Sequence, residues 1–298
     1  MFKILNLSLL GISSRINELV EMSLTFGFQG VDVELPMVLA HAQIHGPQYA
    51  FGLLGGARSR SGGFDLPVRF HADEAEFSAD LGKLPEIAKL CREMHLTRAY
   101  STIQPTSDNH PYPANFELHH KRLSQVAEVL SPEGIKLGLT FLAPESYRSG
   151  GAYPFIHQAE AISALIKTVG SPDVGIIVDV WQWVAGGGTV ESLQQFKVDQ
   201  VVAVRLSDGP REKPASTWTY ADRYLPGGSG TIDSVEVLKW LDSIGYDGPV
   251  AAHCNPANLG EIRREAVIQK LSESLSEVWT AAGVKVPTRP TGRPVVAV

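Results

Sequence analysis

Short apolar runs alternate with longer amphipathic stretches along the whole chain. Eight of the runs read as strands: residues 2–9 (FKILNLSL), 30–35 (GVDVEL), 50–54 (AFGLL), 98–103 (RAYSTI), 136–142 (KLGLTFL), 174–180 (VGIIVDV), 201–207 (VVAVRLS) and 248–254 (GPVAAHC). Several are apolar nearly throughout, which is the pattern of a parallel strand buried on both faces. The segments between them carry helical spacing. Leu81, Leu84, Ile87, Ala88 and Cys91 share one face, as do Val235, Leu238, Leu241 and Ile244. Asp233 and Glu236 supply a start signal for the second of these helices, and Gly245 a stop.

Eight alternating β and α units predict a (β/α)8 TIM barrel, a class whose members run to about 250 residues, here as a single domain over residues 1–283. A doubly wound open sheet is the competing architecture. Its first βα turn should carry G-x-G-x-x-G, and LSLLGISS does not. The glycine-rich segments 52–63 (GLLGGARSRSGG) and 185–189 (AGGGT) match no phosphate loop and read as loops. Residues 284–298 combine three prolines with two arginines and no helical period, so an extended C-terminal arm is expected, packing on the barrel or on a second subunit.

Composition narrows the function classes. At 44% hydrophobic and 19% charged, the chain can bury a substantial core. A net charge of -6 with scattered basic residues excludes a nucleic-acid surface. No run reaches the length of a membrane span, and Asn6 and Ser8 interrupt the first apolar stretch, which reads as a strand and not as a signal peptide. Cys91 and Cys254 form no disulfide framework and no C-x-x-C, so a cytoplasmic protein with reduced thiols is expected.

In such barrels chemistry sits at the carboxyl ends of the strands. The late strands place Thr140, Asp179, Arg205 and His253 there, each between apolar neighbours. An unpaired buried charge costs several kcal/mol, so Arg205, inside VVAVRLSDG, needs a partner or a water-filled cleft. Asp179 on the neighbouring strand is the expected bidentate partner, with Asp208 as a second candidate or a turn residue.

Six segments then carry a resemblance: 138–148 (GLTFLAPESYR), 153–157 (YPFIH), 175–183 (GIIVDVWQW), 201–210 (VVAVRLSDGP), 223–233 (RYLPGGSGTID) and 244–256 (IGYDGPVAAHCNP). In order and spacing they resemble the sugar isomerase/epimerase family of xylose-isomerase-like TIM barrels, which includes endonuclease IV relatives. The resemblance implies a divalent metal such as Mn, Mg or Zn, held by Glu, Asp, His and Glu at the strand ends. Those positions fall on Thr140, Asp179, Arg205 and His253, and a further histidine three residues after the aspartate falls on Gln182. Hydroxyl and guanidinium groups do not replace carboxylate ligands, so no tightly bound metal is expected at this position. Among the other histidines, the adjacent His119 and His120 and the pair His41 and His45 lack convincing metal-ligand spacing.

Three functions follow from the resemblance. In the first, Arg205 polarises a carbonyl while His253 and Asp179 transfer protons, isomerising or epimerising a sugar or related polyhydroxy compound without the metal. In the second, Arg205 and Asp179 form a structural salt bridge, and the chain is a non-catalytic sugar binder or the partner subunit of an active relative. The third is a lyase or dehydratase on the same scaffold. Arg223 in RYLPGG matches a substrate-side arginine, against a loop-capping role; His157 matches a pocket position, against a helix-start role. Trp181 and Trp183 offer a stacking face for a sugar ring, one of them being expected in the core. Glu145 and Arg148 read as substrate contacts or as a pair at a helix start, and residues 102–116, with His110 and Tyr112, as a long loop over the mouth. Relatives of this kind pair as homodimers, an arrangement the sequence leaves open.

Overall fold

The apolar runs are strands because each is covered on both faces, by helices outside and by the interior of a closed barrel inside. The computed structural model describes residues 1–55 and 59–285. Its strands, in chain order, are β1 (Phe2–Leu5), β2 (Gly30–Val33), β3 (Arg60–Asp65), β4 (Arg98–Ile103), β5 (Thr106–Ser107), β6 (Lys136–Phe141), β7 (Tyr153–Pro154), β8 (Val174–Asp179), β9 (Val201–Leu206) and β10 (Pro249–Ala252). Eight of them close a parallel barrel in the order β1-β10-β9-β8-β6-β4-β3-β2. The (β/α)8 expectation holds.

The helices are α1 (Ile16–Thr25), α2 (Leu35–His45), α3 (Pro47–Gly55), α4 (Glu74–Glu93), α5 (Tyr112–Leu130), α6 (Ala159–Val169), α7 (Val180–Ala185), α8 (Ser234–Ser243) and α9 (Arg264–Ala282). Leu84, Ala88 and Cys91 of α4 and Val237, Leu238 and Leu241 of α8 face the barrel with Leu137, Val178 and Val250. Asp233 caps α8 as its spacing predicts, its side chain accepting from the Glu236 amide at 2.9 Å. Inside the barrel, Phe2, Ile4 and Ala251 form one apolar group and Tyr100, Ile177, Val202 and Ala203 another. No helix among the described residues is long and apolar enough to cross a membrane.

Two expectations are corrected. The third strand is not residues 50–54: Ala50 and Leu54 are buried one helical turn apart in α3, and the strand is RSGGFD, whose first four residues close the stretch 52–63 read as a loop. It carries so few side chains because its neighbours fill the space. A Cβ on Gly62 would lie 2.1 Å from Asp32 Oδ1, and one on Gly63 would lie 2.3 Å from the Tyr100 ring. Residues 102–116 are likewise not one long loop. β5 pairs antiparallel with β7, joining the connections after β4 and β6 in a small sheet, and α5 begins at Tyr112. Of the expected C-terminal arm, residues 286–298 lie outside the described residues.

Candidate functional site

Register brings the late strands' polar residues to one end of the barrel. Arg205 is the Cα partner of Asp179 on one side and of Ala251 on the other, so all three side chains leave the sheet on the same face. Ala251 packs in the barrel interior, which turns Arg205 and Asp179 inward.

They do not pair. Asp179 is held by Arg223, whose Nη2 donates to both carboxylate oxygens at 2.7 Å, with both side chains almost fully buried. Asp179 also caps α7, accepting from the Gln182 amide at 3.2 Å. The guanidinium of Arg223 reaches further, from Nε to Ser207 Oγ at 3.0 Å, and lies 5.3 Å from the centre of the Trp181 ring. Its backbone is pinned as well, the carbonyl accepting from the Asn255 amide and from Asn258 Nδ2. The long connection after β9 is shaped by Asp208, whose carboxylate accepts five backbone amides, from Gly209, Ser229, Gly230, Thr231 and Ile232. Asp208 is thus the organiser of the loop that delivers Arg223, and not a partner of Arg205.

Arg205 is half-buried and makes no ion pair or hydrogen bond with the described residues; its guanidinium carbon lies 5.8 Å from the Tyr100 ring centre. Near it, two buried polar atoms also lack hydrogen-bond partners among the described residues: His253 Nδ1, 3.9 Å from Asp179 Oδ2, and Thr140 Oγ1 at the end of β6. Burial holds the His253 ring well below the usual histidine range, and the positive charges of Arg223 and Arg205 push it the same way, so the imidazole is neutral at neutral pH.

A second polar group, absent from the sequence expectations, occupies the opposite wall. Asp32 on β2 accepts from Asn6 Nδ2 at 2.7 Å and from the Tyr100 hydroxyl at 3.2 Å. Asn6 is oriented by the Leu9 amide, which donates to its Oδ1 at 3.1 Å. Burial raises the Asp32 carboxyl to about 7, against the lowering effects of Arg205, Asn6 and Tyr100. The sequence signal was there: a carboxylate set into the apolar run GVDVEL, as Arg205 is set into VVAVRLS.

The other candidates sit elsewhere. Trp181 and Trp183 are both buried, donating to the carbonyls of Asp222 and Thr189; Trp181 stacks on Trp218 and Trp183 meets Phe196 edge to face, and neither offers a face to a ligand. Gln182 Oε1 accepts from the Ala143 amide at 2.8 Å and braces the loop after β6. His157 is half-buried, its Nδ1 2.6 Å from the Phe155 carbonyl. Glu145 and Arg148 are joined through backbone, not through an ion pair. His110 lines a cleft of about 330 Å³ with His71, Asp108 and His119, beside the barrel mouth's β5–β7 sheet; burial pushes His119 down to about 4. No group of three or more His, Cys, Asp or Glu among the described residues is arranged to hold a metal ion.

A model of the xylose isomerase-like TIM barrel family matches residues 58–278. Inosose isomerase of Bacillus subtilis (strain 168) is 24% identical over 156 residues, 52% of this chain and 53% of that protein, so the chain spans about half the length of the curated relatives it matches. Among solved structures, a xylose isomerase domain protein from Alicyclobacillus acidocaldarius subsp. acidocaldarius superposes with a TM-score of 0.83 at 26% identity, over 95% of this chain and 99% of that one. An IOLI protein crystallised with a bound zinc atom superposes with a TM-score of 0.77 at 17% identity, over 93% and 98%, a likeness in fold alone.

Proposed function

The chain belongs to the xylose isomerase-like TIM barrel family, and from that premise we propose that its barrel mouth takes a sugar or related polyhydroxy carbonyl compound and moves a proton at the carbon beside the carbonyl. One observation carries the reading: at the carboxyl ends of three strands, Arg205 has no ion pair or hydrogen bond with the described residues, and His253 Nδ1 and Thr140 Oγ1 have no hydrogen-bond partner among them, His253 Nδ1 lying 3.9 Å from Asp179 Oδ2. Buried polar groups are normally satisfied, so two that are not, beside a half-buried arginine with no ion pair among the described residues, suit a polar ligand.

The chemistry follows from their types. Arg205 donates to the substrate carbonyl, neutral His253 takes the proton from the adjacent carbon, and the electron pair left behind passes into an enediolate whose oxygen faces the guanidinium. Thr140 hydrogen-bonds a substrate hydroxyl. Asp179, tied to Arg223, is a positioning residue in this scheme and holds the wall on which His253 stands.

The family's divalent metal does not fit these residues. The single carboxylate at the four positions is already neutralised by Arg223, and Arg205 puts a permanent cation where an imidazole ligand belongs. No step is assigned to a metal. Near-stoichiometric Mn, Zn, Mg or Fe in the purified protein, lost on His253→Ala, would sink that part of the reading.

The test of the whole is exchange of deuterium from D2O into a panel of ketoses and inososes, for the native protein and His253→Ala. Exchange by the native protein that falls at least ~100-fold in the variant is expected. Thermal stabilisation by a sugar without exchange into any of them would replace the enzyme with a binding protein.

A further inference from the structure

A second hollow opens beside the mouth, on the side of β4. The cleft of about 330 Å³ next to the β5–β7 sheet shares His71, Gln104 and His119 with a smaller cavity of about 90 Å³, whose lining includes Ser101 and Thr102 at the end of β4. Thr102 is the Cα partner of Thr140, and two residues earlier Tyr100 packs inside the barrel, so both threonines face the interior. The hollow therefore leads outward from the strand beside Thr140.

Its walls are polar and largely unpartnered. Leu118 is the single apolar residue lining the larger cleft among the described residues. On α5, Asn115 and His119 stand one helical turn apart, 4% and 2% exposed. His119 Nδ1 lies 2.9 Å from the Asn115 carbonyl, which can only accept, so Nδ1 carries the hydrogen; burial keeps the ring neutral, which leaves Nε2 as an acceptor. Neither that nitrogen nor the side-chain amides of Asn115 and Gln104 hydrogen-bond with the described residues. No lysine or arginine among the described residues lines the larger cleft, and Arg69 at the smaller cavity is tied to Glu76 and Asp80. One acceptor and two amides without an unpaired cation suit a neutral ligand rich in hydroxyls, and not a phosphate or carboxylate. The outer edge is fixed: Asp108 accepts from the Ala152 amide, and Gly151 packs where a Cβ would lie 2.3 Å from Thr106.

We propose that this cleft holds a second sugar unit joined to the one at the mouth, so that the substrate is a glycoside whose carbonyl-bearing unit sits against Arg205, His253 and Thr140. This deepens the proposed function and rests on it. No bond is made or broken in the cleft. The Asn115 and Gln104 amides pair with hydroxyls of the outer unit, and His119 Nε2 accepts from one.

The test compares ketohexoses with disaccharides in which the same ketohexose carries a glucosyl group. Titration calorimetry and deuterium exchange from D2O are read for the native protein, Asn115→Leu and Gln104→Ala. The native chain should bind the disaccharide at one site and ~10-fold or more tighter than the matching ketohexose, the gain that about two added hydrogen bonds supply. In each variant that ratio should fall at least ~3-fold. Without sugar, Gln104→Ala should melt with the native protein, since the lost amide leaves no partner behind; it carries the test should Asn115→Leu fail to fold. Equal affinities for disaccharide and ketohexose, or a preference that survives both substitutions, would overturn this proposal and leave the proposed function standing. Two ketohexoses bound per chain, one of them lost in Asn115→Leu, would overturn it as well, being the mark of a separate sugar site. Preferential binding of the disaccharide without exchange supports the cleft while replacing the enzyme with a binding protein. A native protein that binds no sugar and exchanges none overturns both.

Discussion

Replacing Arg223 by methionine and, separately, Arg205 by methionine separates two arginines that look alike in the sequence. Arg223 and Asp179 are 2% and 3% exposed and joined by two 2.7 Å bonds, so Arg223→Met strands a carboxylate that keeps only the Gln182 amide. Removing one partner of a buried pair costs ~3–5 kcal/mol, largely as the penalty of the remaining bare charge. The methionine retains an unbranched stem over Trp181, which keeps lost packing small. Arg205, half-buried with no ion pair among the described residues, loses its contact with Tyr100 and a through-space attraction to Asp32, and Arg205→Met should stay within ~1 kcal/mol of the native protein. Asp179→Leu combined with Arg223→Met should recover most of the loss, because no bare charge remains. Urea unfolding followed by far-UV circular dichroism reads all four proteins. Equal costs for the two arginine variants, or an Arg223→Met protein within 1 kcal/mol of native, would show that Asp179 does not depend on Arg223 and refute the pairing.

Three further outcomes are expected. Asp32 binds a proton in the folded chain that the unfolded chain releases between pH 3.8 and about 7, so its contribution makes stability fall as pH rises through that window. The effect is about 2–4 kcal/mol after allowance for its partial exposure; urea titrations at pH 4.5 and 8 should show it in the native protein and not in Asp32→Asn, and an equal slope in both would refute it. Gly62→Ala puts a Cβ 2.1 Å from Asp32 Oδ1 and 2.9 Å from Ile4 Cδ1, which should cost ~1–3 kcal/mol, less when Asp32 is also alanine; additive costs would contradict the contact. Thr140→Val removes a hydroxyl that has no hydrogen-bond partner among the described residues, so its melting temperature should be unchanged or higher while sugar-induced stabilisation weakens. A clear loss of stability without ligand would mean the hydroxyl is bonded internally.

How far the chain could be read in advance depended on how local each signal was. Seven of the eight barrel strands lie within apolar runs visible in the sequence, and Asp233 announces the start of α8 three residues ahead of Glu236. Such signals need only neighbours a few residues away. The eighth, β3, was hidden because a strand whose space is taken by Asp32 and Tyr100 must be built from Ser and Gly and so loses its apolar signature. The position of Asp179, Arg205, Thr140 and His253 at one end of the barrel also followed from the sequence alone, since strand ends and register in a parallel barrel place them there.

Which of these residues touch was another matter. Arg205 sits beside Asp179 in register, yet Arg223, 44 residues from Asp179, takes the carboxylate because Asp208 folds the loop after β9 over the mouth and points the longer reach inward. Asp32 meets Tyr100 across 68 residues through a gap left by two glycines. By itself the sequence determined the eightfold alternation, the barrel and the end of it that carries the polar residues, all of which rest on short-range periodicity. Only the tertiary structure decided which arginine is paired, which one has no ion pair among the described residues and that a second carboxyl lies across the barrel from the paired one, because those outcomes are set by loop geometry and by the volume neighbouring strands leave vacant.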